Sequence, residues 1–275
     1  MTAVALVAVL VSAALHASWN AMLKSTADPS AAAALFVAGA AMLSGVLALA
    51  LGGTLPPPSW PGVVGSGLIE AVYFVTLSQA LQRLPLGTAY GLARGGGQVV
   101  TWPVSALVFH EVIDARSATG AVLVGVGLVS TVFDGGRGAG LLWAGACAFT
   151  IGLYPLSYKL ALENGAHEAA LFTASLLLAL PLQVLFLDRN NRIARLRAAL
   201  AANPRLVAVG SVLCAVSFLT FLVALERGGA GRASALRNTS VLFAAGIGWW
   251  RGDPLSTRAI LAYLAIVVGA VLVAG

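Results

Sequence analysis

The sequence predicts an all-α integral membrane protein: ten transmembrane helices arranged as two inverted five-helix repeats. Three observations predict it. Of 275 residues, 59% are hydrophobic and only 9% are charged, whereas soluble domains carry about a quarter charged residues. So few charges cannot clothe a water-facing surface, and lipid must be the main solvent. Apolar stretches of about 20 residues, long enough to cross a bilayer, recur from end to end. The two halves of the chain also echo each other.

Hydropathy places the spans at 3–23, 31–51, 61–81, 86–109, 117–133, 141–161, 166–187, 205–225, 230–250 and 257–274. The first has no basic segment ahead of it and reads as a retained span rather than a signal peptide. The second, "AAAALFVAGAAMLSG" (31–45), and the fifth, "GAVLVGVGLVS" (120–130), are built of small residues that let helix backbones approach closely in lipid. The fifth is short, and would stand nearly upright or extend into a flank. Pro103 in the fourth and Pro155 in the sixth each remove a helix hydrogen bond and mark kink points. Between the seventh and eighth lies the one long polar loop, "DRNNRIARLRAALAANPR" (188–205), whose middle has the makings of an amphipathic surface helix. Backbone polar groups must pair internally at membrane depth, which makes every span a helix. No run of short alternating strands points to a barrel.

The repeat divides the chain into 1–134 and 135–275. "ALQRLPLGTAYGLARGG" (80–96) matches "ALERGGAGRASALRNTS" (224–240), "VGSGL" (64–68) matches "VGSVL" (209–213), and "AALF" ends at Phe36 and again at Phe172. Five spans is an odd number, so the second copy enters the bilayer upside down, and inverted copies support alternating access to a central site. Similarity of composition among Ala/Gly-rich helices is the competing explanation. The matched Arg94 and Arg237 weigh against it.

Ten spans put both termini on one side. Counting loop Lys and Arg, ten lie on the side opposite cytoplasmic termini and four on the same side, which favours external termini. The net charge of +6 comes largely from these loops, so it reads as contact with lipid headgroups and not with nucleic acid. A multi-pass protein of the plasma (inner) membrane, monomeric or weakly dimeric, is expected.

Ionisable and polar residues at membrane depth usually mark a cavity or a partner. His16, Trp19 and Asn20 share one side of the first span at i, i+3 and i+4. They either clamp neighbouring helices, with Trp19 in the interfacial belt, or line a solute path. Glu70 and Arg94 lie roughly 20 Å before and 15 Å after the turn joining spans three and four, which brings them near a common depth. An ion pair is one reading, and a proton- or substrate-responsive carboxylate is the other. Burial and a neighbouring guanidinium act on Glu70 in opposite directions, so both stand. Arg237 has no carboxylate at the matching position of its own half and is a candidate for an anionic group on the substrate, with Asn238 and Ser240 beside it; reaching Glu70 across the cavity and snorkelling to the headgroup region are the alternatives. Tyr73, Thr76 and Gln98 are further candidates, as are Tyr154 and Tyr158 on one face of span six.

Several chemistries find no support. His16, His110 and His167 have no metal-ligand spacing. "GLARGGG" (91–97) lacks the strand and the Lys-Ser/Thr of a phosphate loop. No nucleophile–base set or carboxylate pair suggests an enzyme, and Cys147 and Cys214 stand inside apolar runs where a disulfide is not expected. No cofactor is expected.

"ALHASWNAMLK" (14–24), "YGLARGGGQVVTWPVSALVFHEVID" (90–114) and "SALRNTSVLFAAGIGWWRGDPLS" (234–256) together resemble the drug/metabolite transporter superfamily, specifically its ten-span EamA-type members. The resemblance covers nearly the whole chain. It implies a cavity lined by spans one, three, four, six, eight and nine, with five and ten peripheral, and makes His16, Trp19, Arg94 and Arg237 cavity residues. It implies export or exchange of amino acids, metabolites or drugs. It also implies cytoplasmic termini, against the loop charges. The second repeat reads "RGDPLS" where such proteins carry a Gly-Glu-Arg-like turn. Small multidrug exporters of the superfamily use a glutamate in their first span, which is absent here and leaves Glu70 as the substitute. The expected function is secondary transport of a small organic solute, with a proton as candidate coupling ion. An uncoupled facilitator and a lipid flippase or scramblase are the alternatives.

Overall fold

The computed structural model describes residues 2–84, 86–110, 114–130, 138–188, 190–250 and 256–274. The acidic turns at Glu111 and Asp253 lie outside the described residues. Within them the chain is helical: α1 (Ala3–Lys24), α2 (Pro29–Ala50), a 3₁₀ turn (Pro57–Ser59), α3 (Trp60–Arg83), α4 (Leu86–Phe109), α5 (Ala115–Ser130), α6 (Ala139–Glu163), α7 (Glu168–Leu185), α8 (Arg192–Ala202), α9 (Pro204–Gly228), α10 (Ala230–Arg237), α11 (Ser240–Trp250) and α12 (Thr257–Ala274). Six of them, α1, α2, α3, α6, α7 and α9, are long and apolar enough to cross a bilayer, and α5 and α12 are shorter apolar helices. The protein is a multi-pass membrane protein.

Local chemistry sets the helix ends. Asp28 caps α2 by accepting from the Ala31 N–H at 3.1 Å, and His167 caps α7 by accepting from the Ala169 N–H at 3.2 Å; each satisfies an otherwise orphaned first-turn donor. Lys24, at the end of α1, donates to the carbonyls of Leu81 and Leu84 at the end of α3, where a cation meets the negative end of a helix. Pro103 and Pro155 lie inside α4 and α6, which run on through them as single helices. The polar loop does fold in its middle into α8, none of whose residues is buried. Its Arg195 makes a fork to Asp28, with Nε–Oδ2 at 2.7 Å and Nη2–Oδ1 at 2.9 Å.

One expectation fails. The ninth span is two helices, α10 and α11, parted at Asn238 and Thr239. The Asn238 N–H is shared between the Ser234 and Ala235 carbonyls and the Thr239 N–H bonds three residues back, to Leu236, so the turn tightens and the α ladder stops.

Small residues set the packing. A Cβ on Gly120 of α5 would meet the Gly269 carbonyl oxygen of α12 at 2.6 Å, and one on Gly127 would meet the Ala262 carbonyl oxygen at 2.6 Å. Advancing along one helix thus means retreating along the other, and the two are antiparallel. Gly62 and Gly65 of α3 press on Ala161 and Ser157 of α6, also antiparallel, whereas Gly96 of α4 meets Ala148 of α6 and Gly152 of α6 meets Val100 of α4, so that pair is parallel. The main contacts join α1 to α9, α3 to α6 and α7, α4 to α6, α2 to α7 and α9, and α5 to α12. Consecutive helices α3 and α4 touch little.

Candidate functional site

Arg237 ends α10, immediately before the helix break, and is fully buried. One Nη donates to the Tyr154 hydroxyl at 2.9 Å, and the other meets His16 Nδ1 at 3.1 Å and Ser217 Oγ at 3.5 Å. A guanidinium has only donors, so this contact requires a lone pair on His16 Nδ1 and puts the ring proton on Nε2. Nε2 faces the Tyr73 hydroxyl at 3.4 Å. The guanidinium carbon also lies over the rings of Phe221 and Phe218, at 4.0 and 4.5 Å from their centroids, a favourable use of the negative ring face.

The His16 carbonyl accepts from Asn20 Nδ2 at 2.7 Å and from the Tyr90 hydroxyl at 3.1 Å. Trp19 is fully buried, edge-on to His16 at 4.9 Å and near Phe74. Burial removes it from any interfacial belt. Six helices, α1, α3, α4, α6, α9 and α10, thus send His16, Tyr73, Tyr90, Tyr154, Ser217 and Arg237 to one point. Arg94 is buried beside them, its guanidinium 5.9 Å from the Tyr90 ring and its Nη2 without a hydrogen-bond partner. Asn238 Nδ2 donates to Gln98 Oε1 at 2.9 Å, which ties the helix break to the middle of α4. One turn further along α4, Trp102 Nε1 donates to the Gly231 carbonyl, near the start of α10, at 3.1 Å.

Glu70 departs from the expected arrangement. It makes no ion pair with Arg94: the ion pairs among the described residues are Lys159–Glu163, Arg195–Asp28 and Arg232–Asp114. Its side chain is fully buried and neither carboxyl oxygen has a hydrogen-bond partner. The groups that act on it are the Tyr158 hydroxyl, itself unbonded, and Arg237. The helices explain it: α3 packs on α6 and α7 and touches α4 little. Thr76 donates back to the Val72 and Tyr73 carbonyls of its own helix, so its one hydroxyl proton is already used.

Two small pockets flank Arg94. One is lined by Arg94, Gln98, Thr101, Tyr154, Ser234 and Arg237 among others, the second by His16, Asn20, Tyr73, Tyr90 and Arg94; each has room for about one water. A larger, mostly apolar groove of about 660 Å³ opens between α4 and α5, along Val99, Trp102, Val122 and Val126, with Gln98 shared between groove and inner pocket. Sequence reasoning missed Tyr90, Ser217, Phe218, Phe221 and Ser234. Tyr90 stands one turn before Arg94, and Phe218 and Phe221 share a face of α9 with Ser217. Their apolar rings gave no signal against an apolar background.

The comparisons follow this geometry. The EamA-like transporter family matches residues 138–275, half of the chain, and the Small Multidrug Resistance protein family matches residues 59–124. A crystal structure of a protein at 20% identity superposes over 98% of this chain and 95% of its own with a TM-score of 0.71, so the fold is shared. No curated protein matches it. A polar, cationic focus buried inside a multi-pass helical protein, with these family matches, identifies a membrane transporter of the drug/metabolite type, and the chain belongs to the EamA-like transporter family.

Proposed function

We propose that this protein is a secondary transporter, an exporter or exchanger, that carries a small organic solute such as an amino acid or related metabolite through a chamber between two inverted repeats, 1–134 and 135–275. One observation carries the reading. Buried hydrogen-bonding side chains from both halves, His16, Tyr73 and Arg94 from one and Tyr154, Arg237 and Asn238 from the other, converge inside an otherwise apolar protein. Polar groups buried among apolar helices are costly unless something uses them.

The packing supports ten spans in two inverted copies. Contacts recur in pairs at matched positions: Gly39 on Ser211 and Ser66 on Ser175; Gly120 on Gly269 and Gly127 on Ala262. The antiparallel α5–α12 pair and the parallel α4–α6 pair are what strict up-and-down threading of ten spans requires. The broken ninth span also fits, since discontinuous helices mark transporter sites near the bilayer midplane. Trp19, Asn20, Gln98 and Tyr158 complete the proposed chamber, and Glu70 is the candidate proton carrier.

The test is uptake by purified protein in proteoliposomes loaded with a pooled metabolite extract, reading which compounds are concentrated or exchanged. Arg237→Ala is expected to abolish that transport while the protein remains inserted and monodisperse. Wild-type rates in the folded variant would sink the reading. The lateral groove between α4 and α5 favours a second reading, lipid scrambling guided by the interior cations. Headgroup-labelled lipid redistributing faster in these vesicles than in empty ones, with no soluble compound moving, would select it.

A further inference from the structure

The interior carries a set of donors that has nothing to donate to. Arg94 Nη2, Gln98 Nε2, Arg237 Nε and Ser234 Oγ are all buried without a hydrogen-bond partner, and all four residues line the same inner pocket between α4 and α10. Their side chains are nine-tenths or more buried, at 3, 5, 0 and 8% exposure. A guanidinium nitrogen and an amide nitrogen can only donate. Among the described residues neither arginine is ion-paired, and two guanidiniums in a low-dielectric interior are under-compensated by neutral hydrogen-bond partners and aromatic faces. An unmet buried donor is costly, and more so when it is charged. What would satisfy all four at once is a group with several acceptor oxygens and a negative charge.

The geometry points to an oxyanion subsite between α4 and α10, at which Arg94, Gln98, Ser234 and Arg237 bind the carboxylate or phosphate of the transported solute. This deepens the transport reading and rests on it for the solute's identity, though not for binding itself. The pocket as it stands has room for about one water, so it must widen to take even a compact carboxylate, and the bulk of the solute stays outside it. The Asn238–Gln98 hydrogen bond spans the site and must part to admit the anion. That couples binding to the helix break one residue after Arg237. Tyr154 and His16 hold the other edge of the Arg237 guanidinium, leaving Nε toward the pocket side.

The experiment is thermal unfolding of the purified protein in nanodiscs of purely zwitterionic lipid. Acetate, inorganic phosphate, or chloride at equal ionic strength is titrated, with acetamide as the neutral counterpart of acetate. A saturable rise in Tm with acetate or phosphate, and none with chloride or acetamide, is expected. Arg94→Gln and Gln98→Glu should each weaken the response about tenfold or more, the first by removing a charge-assisted donor and the second by like-charge repulsion. Should either variant not fold, the anion selectivity of the wild type decides alone. No selective rise in the wild type, or an undiminished rise in folded Arg94→Gln, overturns the subsite. A rise seen only when anionic lipid is included assigns these donors to a lipid headgroup and overturns the solute assignment. The transport reading fails separately: anion-selective stabilisation in a protein that moves no solute in vesicles leaves the subsite standing and removes the transporter.

Discussion

Arg237 is held by neutral partners throughout: a phenol, an imidazole lone pair, a hydroxyl and two phenyl rings. Desolvated cation–π contacts contribute about 2 kcal/mol, against a desolvation cost of several kcal/mol per buried ion, so the side chain remains poised for a stronger partner. Glu70 stands in the complementary position, a carboxyl with neither oxygen bonded and no cation in ion-pair contact. An uncompensated carboxylate in such a place is expensive, whereas a protonated one is tolerable. A carboxyl enclosed in this way is a candidate for proton coupling. Glu70→Gln, which keeps shape and removes titration, should therefore fold normally. It should abolish uptake driven by a pH gradient in vesicles while solute exchange at equal pH persists. Persistence of pH-driven uptake in that variant removes Glu70 from coupling. The identities of these residues were legible in the sequence because charge and amide groups stand out against Ala, Leu and Val. Their partners were not, since Phe218 and Phe221 look like any lipid-facing residue until the helix azimuth is known.

Helices were legible wherever length and hydropathy agreed, and the amphipathic segment in the polar loop was legible as α8. Less was visible about which helices meet. Equal depth along spans three and four suggested a Glu70–Arg94 pair, but in lipid no hydrophobic force drives sequence neighbours together, and shape complementarity decides. Glycine and serine faces send α3 to α6 and α7, and α4 to α6. The break at Asn238 was also hidden, because "RNTS" carries no Pro or Gly to announce it. Packing by backbone contact makes a sharp prediction. At Gly120 an added methyl would strike the Gly269 carbonyl, which has no rotamer to escape into. Gly120→Ala should cost about 1–3 kcal/mol, typical of overpacking, seen as a lowered Tm, while ligand affinity of the folded fraction is unchanged. The clasp between α8 and the cap of α2 adds a pH-dependent element. Partial burial pushes the Asp28 carboxyl up, but the Arg195 fork and the Ala31 N–H more than offset it and hold it below its ordinary value. A depressed carboxyl contributes stability above its unfolded value, about 3.9, and loses it as pH falls through the lower folded one. The clasp is thus intact at neutral pH and opens only in strong acid. Asp28→Asn should release it at pH 7, costing about 1 kcal/mol or less after solvent screening, with faster proteolysis within α8 as the readout.

For the molecule as a whole, the proposed repeat rests on a handful of matched motifs, and the packing supplies contacts against which to weigh it. The pairs Gly39–Ser211 and Ser66–Ser175 are contacts that a pseudo-two-fold operation between the proposed copies would exchange. If that operation lies in the membrane plane, equivalent loops of the two halves must face opposite compartments. The turn after α1, at Ser25, and the turn after α6, at Asn164, are such a pair, and both lie outside the helices. The native thiols Cys147 and Cys214 are buried, so a single cysteine introduced at either turn gives a readable signal against them. In sealed vesicles of one orientation, a membrane-impermeant maleimide should label Ser25→Cys from one side only and Asn164→Cys from the other only. The same experiment decides which compartment holds the termini, where the arginine-rich loop and the family pattern disagree, because Ser25 must lie opposite the N-terminus if α1 crosses once. Labelling of both positions from the same side would mean that the two halves cross in parallel. A chamber between parallel copies has no symmetry-related second state to open toward the other compartment, and alternating access would have to be abandoned.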